Sequence, residues 1–144
     1  MKLDEIQKHW DEDSNIDRTE LGEESLKIAQ LHSKYFKIFA EERLSLKKLK
    51  KDLSILNKTK YEYYNGILSH EELEQHGWEP FSLKILKTDL HIYLNSDADI
   101  NNLQLKIDLQ EEKILYLENI IKSLNNRGFQ LKTALDWEKF KMGI

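Results

Sequence analysis

The sequence predicts an all-α fold: a long helix plus a heptad-patterned helical hairpin or coiled-coil-like bundle. Three observations lead there. Among 144 residues there are only five glycines and one proline, Pro80, too few for the many turns of a β-sandwich. Leu, Lys, Glu, Asp and Asn dominate, with Leu, Lys and Glu among the good helix formers. The last third of the chain repeats apolar residues with the alternating three- and four-residue spacing of a heptad. The length fits one domain, or one domain plus an arm, since independent domains run to ~100–150 residues.

Each element has its own signal. Leu3, Ile6 and Trp10 share one face of a short amphipathic helix in an acidic N-terminal arm, residues 1–16. Asp17 and Glu20 have capping-box spacing, with Ile16 and Leu21 placed as a hydrophobic staple, which predicts a long helix over about 17–65. Only Gly22 interrupts it before the stop signal Asn65-Gly66, and its apolar seam runs through Ile28, Leu31, Tyr35, Ile38, Leu49, Leu53 and Leu56. A helix of that length needs a partner helix along most of it. Ser69 and Glu72 form a second capping pair, opening a short acidic helix that Gly77 ends. Trp78-Glu79-Pro80-Phe81 is a connector, because proline drives its predecessor out of the helical region, and a further short helix is expected from about Ser82 to Leu94.

Asn95-Ser96-Asp97 caps the heptad helix, about 97–127, whose a and d positions are Ile100, Leu103, Ile107, Gln110, Ile114, Leu117, Ile121 and Leu124. The register continues through Gly128, Leu131, Leu135, Glu138 and Met142, with a bend or thinning expected at Arg127-Gly128. Residues 1–128 thus make one helical region and 129–144 a C-terminal helix. The stripe serves an intramolecular hairpin, self-assembly, or both. Apolar Leu115 and Ile120 widen it, and a wide stripe points to a higher bundle.

Composition excludes several classes. Without cysteine there is no disulfide framework and no thiolate metal site, which fits a reducing cytosol. No apolar run approaches the ~20 residues that span a bilayer, and the first residues lack a signal peptide's apolar core, so a soluble intracellular protein is expected. A glycine-rich phosphate loop, a Gly-x-Ser-x-Gly elbow and a His-Glu-x-x-His pair are all absent. His9, His32, His70, His76 and His91 are scattered, and Glu71, Glu72 and Glu74 on a short helix read as solvated acids. Neither an enzyme nor a cofactor or metal is expected.

The net charge of −4 hides three alternating blocks. Residues 1–24 carry −6, residues 34–60 carry +6, and residues 61–99 return to −6. Such blocks suit a nucleic-acid footprint, complementarity between subunits, or a solvated helix face. The informative stretch is Lys47, Lys48, Lys50 and Lys51 followed by Lys58-Thr59-Lys60-Tyr61-Glu62-Tyr63-Tyr64-Asn65-Gly66. Cations bind phosphates with counterion release, and tyrosine rings stack on unpaired bases. Lys60 and Tyr64 share a helix face, as do Tyr61 and Tyr64, whereas Tyr63 continues the apolar seam.

The segment from Lys58 to Gly66 resembles the Lys-x-Arg-x-(Asp/Glu)-Tyr-Tyr-x-Gly pattern of the UvsY recombination mediator proteins of tailed bacteriophages. Similarity extends to Ile16-Asp17, Ser25-Leu26, Pro80-Phe81 through Tyr93-Leu94, and Arg127-Gly128-Phe129, at matching length. The resemblance implies a non-enzymatic mediator, a higher homo-oligomer in the host cytoplasm. It would bind single-stranded DNA and help a phage RecA-type recombinase displace a single-stranded-DNA-binding protein. It implies DNA contacts at Lys58 and at Lys60, where lysine replaces a frequent arginine and loses the bidentate fork. It also implies self-assembly toward the C-terminus, on Ile114, Leu117, Ile121, Leu124, Gly128, Phe129, Leu131, Leu135, Trp137 and Phe140. The competing expectation is a helical scaffold or adaptor oligomer that binds no nucleic acid.

Overall fold

A computed structural model describes all 144 residues, and all its regular structure is helical. The helices are α1 (Leu3–Asp13), α2 (Leu21–Tyr64), α3 (His70–His76), a 3-10 turn (Lys87–Asp89), α4 (Leu90–Asn95) and α5 (Ala98–Lys141). The chain forms two compact units, Met1–Leu44 with Glu111–Ile144, and Ser45–Gln110. Both long helices contribute to each unit.

In the first unit, α1 and the unit's parts of α2 and α5 enclose a core of Ile6, Tyr35, Leu117, Ile120 and Leu124, with Trp10, Leu31, Ile38, Phe39, Tyr116 and Ile121 packed around it. The two long helices run antiparallel here: Lys113 meets Glu42 at 3.3 Å, while Leu131 lies by Leu21. Polar groups tie α1 down. The Asp13 carboxylate accepts bonds from Lys34 at 2.6 Å and Tyr35 at 2.7 Å. The buried Arg127 guanidinium donates to the carbonyls of Asp13 and Ser14 at 3.1 and 3.4 Å, satisfying the open end of α1.

The heptad stripe therefore serves the monomer first. Ile114, Leu117, Leu124 and Leu131, expected at a subunit seam, are buried inside the unit, and Ile121 is half-buried. The stripe faces the chain's own core because α1 and α2 of this unit bring apolar side chains, Ile6, Trp10, Leu31, Tyr35, Ile38 and Phe39 among them, against it. Arg127-Gly128 does not interrupt α5, which runs unbroken from Ala98 to Lys141, so 129–144 continue one helix rather than forming a separate one. Apart from the adjoining residues and the backbone of its own helix, nothing lies within 4 Å of where a Gly128 Cβ would stand, so the chain's own packing makes no use of its small size.

Two other local expectations change. Asp17 turns its carboxylate onto the backbone N–H and hydroxyl of Thr19, at 2.9 and 2.6 Å, and this local turn delays the start of α2 to Leu21. Residues 82–86 are not helical. A helix from Ser82 to Leu94 would carry Phe81 and Tyr93 ~18 Å apart, whereas their rings lie 5.5 Å apart and the chain must double back. The other stops form as expected. Gly66 and Gly77 end α2 and α3 at φ 70 and 68, a conformation that costs glycine no Cβ clash. The Ser69 hydroxyl accepts the Glu72 N–H at 3.2 Å.

Candidate nucleic-acid interface

The basic stretch lies on the part of α2 belonging to the second unit, Ser45 onward. Leu46, Leu49, Leu53 and Leu56 are half-buried and define its inner face. At about 100° per residue, Lys47, Lys51 and Lys58 fall within roughly 40° of one another on the opposite face, a row ~16 Å long. All three are exposed, with Lys48 exposed to one side. The Lys58 ammonium is 3.9 Å from Glu62, and its side chain keeps 79% of its surface, so this pair leaves the cation open to solvent. Lys47, Lys48 and Lys51 make no ion pair. Lys50 is exposed on the same helix.

Lys60 points the other way. It is only 5% exposed, and its ammonium lies 3.1 Å from Asp97, 2.8 Å from Asp99 and 3.8 Å from the centre of the Trp78 ring. The cation expected at a phosphate is held here by two carboxylates and an aromatic face. The reason is helical phase: two residues beyond Lys58, the side chain has rotated about 200° to the inner face. Tyr64 is drawn into the same junction. Its hydroxyl donates to Asp97 at 2.6 Å, so its ring is not a free stacking face.

Asp97 is the centre of this junction. Besides Lys60 and Tyr64 it accepts the N–H of Ile100 at 2.9 Å, and so caps the start of α5. Burial works to raise its pKa, but the hydrogen bonds from Tyr64, Ile100 and Lys60 outweigh it and hold the carboxyl below the usual carboxylate range. Burial, then the bond to Asp97, pushes the Tyr64 phenol upward, so it remains a donor. Around the junction, Tyr63, Tyr64, Trp78, Phe81 and Tyr93 form one ring cluster with centroids 5.0–5.8 Å apart. The Tyr63 hydroxyl donates to the Glu79 carbonyl at 2.6 Å, and His76 stacks on Trp78 at 4.3 Å. Sequence reasoning missed Asp97, Asp99 and Trp78 as partners of Lys60, and no local spacing announces them.

The C-terminal candidates divide. Phe129, Leu135, Trp137 and Phe140 are exposed, Phe129 at 75% and Phe140 at 72%, while Leu131 is buried. Trp137 and Phe140 stack at 5.5 Å. A 210 Å³ cavity lies between this turn and the start of α2, lined by Ile16, Leu21, Leu131, Ala134 and Trp137 among others. No group of three or more His, Asp or Glu is placed to hold a metal ion. No helix is long and apolar enough to cross a membrane.

Known proteins match this chain along nearly its full length. The family of the recombination, repair and ssDNA binding protein UvsY matches residues 9–144. The recombination protein uvsY of Enterobacteria phage T4 is 24% identical over 147 residues, covering 99% of each chain. Two crystal structures of the bacteriophage T4 recombination mediator protein UvsY share the fold. One has a TM-score of 0.83 at 18% identity, covering 97% of this chain and 99% of that one. The other has 0.82 at 19%, covering 99% and 98%.

Proposed function

The chain belongs to the UvsY family of recombination, repair and single-stranded-DNA-binding proteins, and we propose that it is a non-enzymatic recombination mediator. In this reading it binds single-stranded DNA and promotes loading of a RecA-type recombinase onto DNA covered by a single-stranded-DNA-binding protein. It serves phage homologous recombination, repair and replication in the host cytoplasm. The row of Lys47, Lys51 and Lys58, open to solvent on one face of α2, carries the reading. Such cations neutralise phosphates and release condensed counterions without needing a pocket.

A single row makes few contacts and binds weakly. A higher homo-oligomer repeats it, so that one strand meets several rows at once and the affinities compound. Exposed Trp137 and Phe140, whose rings stack, with exposed Phe129 on the same side of α5, support self-association, since grouped apolar surface open to water marks an interaction site; Leu135 is exposed on another face of the helix. Recombinase and single-stranded-DNA-binding protein are the further partners of this reading.

Anisotropy of a fluorescent oligonucleotide tests it. The expected result is saturable binding whose affinity falls steeply with salt, together with faster recombinase loading on strands covered by the binding protein. A scaffold that binds no nucleic acid shows neither, and that result overturns the reading.

A further inference from the structure

Six aromatic residues lie in the second unit, and five of them, Tyr63, Tyr64, Trp78, Phe81 and Tyr93, are joined in the ring cluster. Tyr61 stands apart. Its ring meets no other ring, no cation lies over it, and its hydroxyl has no hydrogen-bond partner; the residue is 48% exposed. The fold makes no evident use of it. By helical phase it sits about 60° from Lys58 and ~4.5 Å further along α2, beside the lysine row.

Its backbone is nevertheless well fixed. The Asn65 side-chain amide donates to the Tyr61 carbonyl at 2.7 Å, and the same carbonyl accepts the Asn65 N–H at 3.2 Å. A large planar apolar face is therefore held on a rigid helix end beside phosphate-binding charge. Phosphate contacts alone do not distinguish a single strand from a duplex. An exposed ring does, because only unpaired bases offer free faces to stack on it.

We propose that Tyr61 is a stacking platform for an unpaired base and gives the lysine row its preference for single strands over duplex. The inference rests on the nucleic-acid reading of that row. Tyr63 and Tyr64, by contrast, hold the fold and take no part in stacking.

The test compares wild-type protein with Tyr61→Leu and Tyr61→Phe in anisotropy titrations at one salt concentration. Three probes are used: a single-stranded oligonucleotide, its duplex, and a strand of the same length with abasic sites. Tyr61→Leu is expected to bind the ordinary strand about ten-fold more weakly, while its affinity for the duplex and the abasic strand stays at the wild-type value. Tyr61→Phe keeps the ring and should match wild type. Circular dichroism should show the same helix content and melting for all three proteins. Unchanged affinity of Tyr61→Leu for the ordinary strand, or an equal loss on all three probes, overturns the proposal while leaving the lysine row standing. Absence of any saturable binding by wild type overturns both.

Discussion

Lys58 and Lys60 stand two residues apart and have opposite tasks. Lys58 projects into solvent, whereas Lys60 neutralises Asp97 and Asp99 beneath Trp78. Lys58→Ala is expected to weaken single-strand binding and lower the salt slope by ~0.7 per lost phosphate contact, with the melting temperature unchanged. Lys60→Ala is expected to cost about 3 kcal/mol of folding stability, because it strands the buried Asp97 carboxylate. Denaturant unfolding separates the two variants. The difference was not legible locally: the segment reads as one basic motif, and the carboxylate partners of Lys60 lie 37 and 39 residues further on. Charge and helix were readable there, but burial was not.

Acid provides a second residue-level test. Asp97 is held below the usual carboxylate range by Tyr64, Ile100 and Lys60 against the opposing effect of burial, and Asp13 by Lys34 and Tyr35 against the same effect. A depressed folded pKa contributes stability that is present above the unfolded value of ~3.9 and is lost as pH falls through the folded one. Melting temperature should thus fall below about pH 4. Asp97→Asn, less stable at neutral pH, should show a shallower acid decline.

At the scale of elements, α5 shows what periodicity can and cannot decide. The heptad picks out buried positions in both units: Ile114, Leu117, Leu124 and Leu131 in the first, Ile107 and Gln110 in the second. A pattern of apolar spacing records that a face is covered, without recording whether the covering helix belongs to the same chain. In the first unit α1 and α2 pack over Leu117, Ile120 and Leu124, and the large apolar side chains left exposed on that part of α5 are Leu115, Phe129, Leu135, Trp137 and Phe140. Leu135→Glu combined with Phe140→Glu is accordingly expected to yield smaller species in sedimentation while the helical signal persists. Leu131→Glu, placing charge in a buried position, is expected to lower stability by several kcal/mol. The stops at Gly66 and Gly77 were readable because a left-handed residue after a helix is a local requirement. The failure of the helix over 82–94 was not, because it follows from Phe81 and Tyr93 meeting in the same ring cluster.

For the molecule as a whole, the alternation of charge along the chain takes on physical form. Part of the +6 block is consumed internally, by Lys34 on Asp13 and Lys60 on Asp97 and Asp99. Lys37, Arg43, Lys48 and Lys50 stay exposed, as does the row of Lys47, Lys51 and Lys58 on one face of α2. A chain of net charge −4 still offers a phosphate track if its cations are gathered on one face and repeated by assembly. The salt dependence of single-strand binding tests this most directly, measured for wild type and for Lys47→Gln, Lys51→Gln and Lys58→Gln combined. The account predicts weaker binding and a slope shallower by about 2 for each protomer in contact, with oligomer mass unaltered. An unchanged slope and affinity in the triple variant would contradict it.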